Sequence, residues 1–252
     1  MSTVETKLGH FVWHENLSSD VEAARSFYSK LLGWEYEAFK PGEMDYMMIS
    51  SGGAMHGGFW PEPPQGAQAG WQGHVLVDDV DGAAERATKL GATILNGPMD
   101  MPEVGRFALI RDPQGAVISA YAAAGDSPVG EGVFVWDELS SPDVEASKRF
   151  YTEVFGWTAD DQDMGGGVTY TTFSKGETQV AGLMKQVAQA AGQPTEWHPY
   201  MGVQNVDATA KKAVGLGATL LVPGTDIPGM GRFAMLTDPN GAMFGIFAST
   251  SS

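Results

Sequence analysis

Residues 13–34 of the chain return, in order and without a gap, as residues 136–157. The offset is 123 at both ends (136 − 13 and 157 − 34), and 11 of the 22 aligned positions are identical. Trp13, Glu15, Asp20, Phe27, Tyr28, Gly33 and Trp34 are matched by Trp136, Glu138, Asp143, Phe150, Tyr151, Gly156 and Trp157. Each copy reads as a strand, a helix cap and a helix closed by glycine, so what repeats is a structural unit. A second pair of segments fixes the rest. Gly105, Arg106 and Phe107, with the turn from Asp112 to Gly115, correspond to Gly231, Arg232 and Phe233 with the turn from Asp238 to Gly241. The offset there is 126 (232 − 106), so the second half carries three extra residues (126 − 123) in a loop. The chain is expected to be two copies of one domain, residues 1–124 and 131–252, with a linker over residues 123–132.

With 252 residues there is length for two ordinary cores. The absence of cysteine excludes disulfides, zinc–thiolate sites, iron–sulfur clusters and a cysteine nucleophile. No run of about 18 apolar residues occurs, and residues 1–9 lack an apolar core, so neither a spanning helix nor a secretory leader is expected. The expected location is cytoplasmic. The 31 acidic residues against 15 basic ones give a formal charge of −16 and leave no basic stripe to displace the counterions of a nucleic acid. That charge serves solubility or adaptation to high salt.

Along the first half, residues 11–17 alternate as a strand. Ser18 or Ser19 is expected to cap the following helix, with Ser19 and Glu22 at capping-box spacing. Val21, Ala24, Phe27, Tyr28 and Leu31 form its buried stripe, and Gly33 ends it in a left-handed conformation. Strands over 34–39, 46–50 and 54–60 follow, then an irregular connection over 61–70. The same β-α-β-β-β order repeats: a strand over 71–77, a helix capped by Asp79, and strands over 93–96, 107–111 and 116–122. The second domain repeats both modules, with residues 186–194 standing where 61–70 stood.

The paired modules, the Phe-Tyr helix that ends at Gly-Trp, and the Gly-Arg-Phe strand running into Asp-Pro-x-Gly resemble the vicinal oxygen chelate superfamily. That superfamily includes glyoxalase I, extradiol dioxygenases and antibiotic-sequestering proteins of the bleomycin-resistance type. The likeness spans essentially the whole chain, twice, and is closest to two-domain bacterial glyoxalase-related proteins that carry Trp-x-Glu near the first strand. It implies an α+β fold of tandem β-α-β-β-β modules, in which each pair curls one mixed sheet into a cup with helices outside and a small-molecule cavity inside. It also implies metal donors from the first, fourth, fifth and last strands of a domain. Carried over, those positions are Trp13, Gly57, His74 and Ser119 in the first domain, and Trp136, Gly182, Tyr200 and Gly245 in the second. Only His74 is of a ligand type. Since zinc, iron, nickel and manganese sites need about three converging protein donors, no cofactor is expected.

The expected function is binding of a small, partly apolar or aromatic molecule in such a cup. Trp13 and Glu15 share one strand face, as do Trp136 and Glu138, giving an aromatic wall beside a carboxylate. His74, His198 and Tyr200 join the candidate ligand contacts. Arg106 and Arg232, each directly after a glycine at a strand entry, are candidates for anion recognition. Proton transfer, should the ligand be turned over, falls to His74 and Glu15. Two alternatives stay open. In a structural one, each glutamate pairs with Arg106 or Arg232. In a chemical one, Glu15, His56 and His74 hold a divalent metal for a lyase, isomerase or dioxygenase of glyoxalase type. His14 alternates away from Trp13, toward the helix side or solvent. The expected partner is a small molecule, and the expected state is a monomer or homodimer.

Overall fold

The computed structural model describes residues 7–40, 46–60, 69–124, 133–186 and 195–250. The connections expected over 61–70, 123–132 and 186–194 fall almost wholly outside these residues. The protein is α+β, with the β-α-β-β-β order occurring four times. The first half contributes β1 (Phe11–Leu17), α1 (Val21–Leu32), β2 (Glu35–Phe39), β3 (Tyr46–Ser51), β4 (Ala54–Phe59), β5 (Gly70–Leu76), α2 (Val80–Lys89), β6 (Thr93–Met101), β7 (Gly105–Arg111) and β8 (Val117–Ala123). The second contributes β9 (Phe134–Ser141), α3 (Val144–Phe155), β10 (Thr158–Asp163), β11 (Thr169–Lys175), β12 (Thr178–Lys185), β13 (Glu196–Gly202), α4 (Val206–Gly215), β14 (Thr219–Ile227), β15 (Gly231–Thr237) and β16 (Met243–Ser249). Each half forms one open mixed sheet of eight strands, in the orders β2-β3-β4-β1-β5-β8-β7-β6 and β10-β11-β12-β9-β13-β16-β15-β14. The tandem sheets are those the repeat implies. No described helix is long and apolar enough to cross a membrane.

Local chemistry differs from expectation in two places. The cap of α1 is Asp20, one residue beyond the serines, because the capping residue must hold an extended backbone directly before the first helical residue. Its carboxylate accepts from the N–H of Ala23 at 2.9 Å, while Ser18 Oγ accepts from the N–H of Asp20. Asp79, Asp143 and Asn205 cap the other three helices in the same way. Strand β6 runs on to Met101, past the expected end at Asn96. It lies at a sheet edge, where the missing N–H of Pro98 costs no ladder bond, and two register shifts against β7 absorb the irregularity.

Packing gathers the chain into two compact units, each drawing on both halves. One comprises residues 1–13, 72–129 and 136–197, the other residues 14–71, 130–135 and 198–252. In the first, Ala83 and Ala87 of α2 and Tyr151 and Val154 of α3 bury against Ile110, Ile118 and Leu183. In the second, Phe27 and Tyr28 of α1 and Ala210 and Ala213 of α4 bury against Ile49, Leu236 and Phe244. Cations of one helix cap the other: Arg86 donates to the carbonyl of Val154 at 2.9 Å, and Lys212 to that of Leu31 at 3.0 Å. This satisfies carbonyls that a helix C-terminus leaves open.

The two sequence motifs are the two ends of one buried bond. Tyr151 of α3 donates to Asp112 of the β7–β8 turn at 2.7 Å and accepts from Trp197 Nε1 at 2.9 Å. Tyr28 of α1 likewise donates to Asp238 at 3.2 Å and accepts from Trp71 at 3.2 Å. The other oxygen of each aspartate ties its own turn, Asp112 Oδ1 taking the N–H groups of Gln114 and Ala116. Burial, foremost, raises both tyrosine hydroxyls well above their ordinary range, with the neighbouring aspartate adding to it.

Candidate functional site

Strand β1 runs parallel to β4 with Glu15 opposite Gly58, and β9 runs parallel to β12 with Glu138 opposite Gly182. Tyr46, from β3, crosses over Gly58 and places its hydroxyl 2.8 Å from Glu15 Oε1. Tyr170, from β11, crosses over Gly182 and donates to Glu138 Oε2 at 2.9 Å. A Cβ at either glycine would overlap the tyrosine, so these positions are kept bare for the ring. In the second copy Trp136 Nε1 also donates to Tyr170 at 2.8 Å, giving a directed chain Trp136 to Tyr170 to Glu138. Both glutamates are 7% exposed. Burial, foremost, and then the charge of Glu138 push the Tyr170 hydroxyl above the usual tyrosine range, so it keeps its proton and acts as a donor.

The sequence reading missed both tyrosines. A trace of them existed, because Tyr46 and Tyr170 stand at an offset of 124 (170 − 46), and Gly58 and Gly182 at the same offset (182 − 58). The suggested pairing of the glutamates with arginine is overturned. Arg106 reaches Asp81 through Nε and Nη2, at 2.8 Å each, and Asp100 through Nη1 at 3.0 Å. Arg232 does the same with Asp207 and Asp226. Asp81 and Asp207 lie in the first turns of α2 and α4, so both guanidinium groups point toward the helices.

Two register assignments also shift. Gly57 lies opposite His14, so Gly58, one residue on, is the β4 position that shares a face with Glu15. His56 is the residue skipped where Ile49 pairs with Gly57 and Ser50 with Met55. The second copy skips Val180 in the same way, between Ala181 and Gln179. His56 thus occupies a bulge whose counterpart is an apolar core residue, and its Nε2 lies 3.4 Å from the Ser51 carbonyl. His14 goes to the core, not to solvent: it is 3% exposed and stacks on Phe134 at 4.0 Å, whose ring in turn meets those of Trp34 and Trp71 edge-on.

His74 lies in register with Ser119 on β8 and meets Tyr121 edge-on at 6.3 Å. The corresponding pair in the second half is Tyr200 opposite Gly245, with the tyrosine ring lying over the glycine. His198 is 5.9 Å from the Tyr200 ring, and both are buried, not placed at a rim. Among the candidates, the structure therefore joins Trp136 to Glu138 through Tyr170, Glu15 to Tyr46, and His198 to Tyr200. Trp13 is half-buried on the Glu15 face of β1.

The metal site that the resemblance implies does not fit these residues. Its positions hold tryptophan, glycine, serine and tyrosine beside the one histidine, and two of those glycines, Gly182 and Gly245, lie under tyrosine rings. Among the described residues no three histidine or acidic side chains gather, so the set Glu15, His56 and His74 is not assembled.

Known proteins share this arrangement of chain. CFP32 of Mycobacterium tuberculosis, whose name gives it only provisionally as a glyoxylase, is 33% identical over 244 residues, covering 93% of this chain and 92% of that one. The anthracycline biosynthesis protein DnrV of Streptomyces peucetius is 31% identical over 253 residues, covering 93% and 91%. The Mn(II)-bound glyoxalase from Novosphingobium aromaticivorans matches in fold with a TM-score of 0.67 at 15% identity, over 97% of this chain and 83% of that one. Residues 7–119 and 134–246 each match one family, and by that double match the chain belongs to the Glyoxalase/Bleomycin resistance protein/Dioxygenase superfamily.

Proposed function

We propose that the protein binds a small, partly aromatic molecule on the strand faces that carry Trp13 and Glu15 in one half and Trp136 and Glu138 in the other. The observation that carries this reading is the chain from Trp136 through Tyr170 to Glu138. A carboxylate is held in place, 7% exposed, by a donor that a bare glycine lets through, beside an indole that is only half-buried. A flat ligand gains dispersion and stacking from the aromatic rings and one directional contact from the carboxylate. The naming of DnrV as an anthracycline biosynthesis protein supports a ligand of aromatic character.

Calorimetric titration with naphthalene-based probes tests this. Saturable binding is expected, weakened about tenfold by Trp136→Ala, in keeping with the loss of one aromatic contact. Absence of saturable binding for every probe would sink the reading.

A further inference from the structure

We infer that the second half carries an open apolar face on β9, β13, β15 and β16 that takes an uncharged small molecule through an alkyl group of leucine size, whereas the first half closes the corresponding face with its own side chains. In the first half Val12, Leu76, Phe107 and Tyr121 form one buried cluster, with Leu8, Met101 and Val104 packed against it. The repeat gives each of the four a counterpart: Val135 at the offset of 123 (135 − 12), and Gly202, Phe233 and Phe247 at the offset of 126 (202 − 76). Strand register agrees. Tyr121 lies opposite Leu76 and Phe107, as Phe247 lies opposite Gly202 and Phe233. The second cluster is not closed. Val135 is 44% exposed against 2% for Val12, Met230 in the place of Val104 is 57% exposed, and both phenylalanines are half-buried.

The missing piece is the side chain at position 202. Gly202 has no left-handed φ that would call for glycine, and a Cβ there would meet Val135 Cγ1 at 2.9 Å, a crowding that Leu76 and Val12 accommodate in the first half. What the first half sets on this face therefore states the chemistry of the occupant: a branched alkyl group held against two aromatic rings and a valine. Val135, Gly202, Met230, Phe233 and Phe247 offer no charged side chain, so a charge buried among them would lack a partner. A handful of side chains is also far short of the roughly 20–30 residues that each partner brings to a stable protein interface. Two copies carrying a formal charge of −16 repel each other, and an uncharged small molecule does not meet that repulsion. All these residues lie in one compact unit, and none belongs to the chain from Trp136 through Tyr170 to Glu138.

Amide chemical shifts of the full chain, titrated with 3-methylbutan-1-ol, report on each face separately. Saturable shifts in the millimolar range are expected at Val135, Gly202, Phe233 and Phe247, and none at Val12, Leu76, Phe107 and Tyr121. Gly202→Leu restores the missing side chain and is expected to weaken the alcohol about tenfold or more. Leu76→Gly removes the plug from the first half and is expected to make Val12, Phe107 and Tyr121 respond as well. Should that variant fold poorly, the Gly202→Leu result decides alone. Shifts that survive Gly202→Leu, or no saturable shifts at all, overturn the inference, and the naphthalene titrations still decide the binding reading. Saturable shifts gathered instead at Trp13, Glu15, Trp136 and Glu138 overturn it in favour of that reading. Self-association of the native chain in sedimentation, abolished by Gly202→Leu, assigns the face to a second copy and overturns it too.

Discussion

Asn16 stands on β1 with its side chain fully enclosed, and neither its Nδ2 nor its Oδ1 has a hydrogen-bond partner among the described residues. The second copy holds Leu139 in that place, opposite Leu183 as Asn16 is opposite Phe59. A leucine of similar size removes two unpaired polar atoms at no cost in packing, so Asn16→Leu should stabilise the protein by about 1–3 kcal/mol, raising Tm by several degrees. A lower Tm by calorimetry would refute that. Gly58→Ala works the other way. Its methyl group overlaps the Tyr46 ring, so the ring must swing off Glu15; a loss of about 1–3 kcal/mol and weaker binding of the naphthalene-based probes are expected. Unchanged urea unfolding and unchanged binding would show the ring to be loosely held. Trp13 and Glu15 were readable because alternation along one strand puts them on one face. Tyr46 was not, since its bond to Glu15 spans two strand gaps and comes into being only when β3 folds against β4. The bulge that displaces His56 was hidden for the same reason: a skipped residue leaves no mark on the local pattern.

The helices and most strands followed from periodicity and turn chemistry, which act within a few residues. The purpose of the Phe-Tyr and Asp-Pro-x-Gly motifs did not, because the bond between Tyr28 and Asp238 joins residues 210 positions apart. Tyr151→Phe removes the donor to Asp112 and strands the indole N–H of Trp197, so a loss of about 1–3 kcal/mol is expected in urea unfolding, with no loss indicating a weak bond. Burial, foremost, raises the Asp112 and Asp238 carboxyls above the ordinary carboxylate range, their hydrogen-bond donors opposing it in part. A folded-state pKa above the unfolded one favours the protonated form in the fold. The resulting stability is fully present below the unfolded value, about 3.9, and is lost as pH rises through the higher folded value. Asp112→Asn removes this dependence, so the variant's deficit relative to the native chain should shrink between pH 4 and pH 7. A deficit that grows over that interval would reverse the sign of the effect.

At the scale of the whole molecule, the repeat suggests two halves that could be separated, whereas packing ties them together. Each compact unit takes segments from before and after the linker: α2 packs with α3 in one, and α1 with α4 in the other. The buried Tyr28–Asp238 and Tyr151–Asp112 bonds each join the first half to the second, as do the Arg86 and Lys212 contacts with the opposing helix ends. Separating the halves would expose the apolar faces of all four helices to water, at about 25 cal/mol for each Å² uncovered. A chain divided within residues 125–132 should therefore behave as one cooperative object only when both pieces are present. Residues 1–129 and 130–252, produced together, are expected to copurify in a 1:1 complex with near-native circular dichroism, and a tag on either piece should retain the other. Produced alone, each piece is expected to aggregate or to pair with itself through the same helix faces. If each piece instead runs as a monomer and melts cooperatively near the temperature of the intact chain, the halves fold independently and the shared cores contribute little to stability.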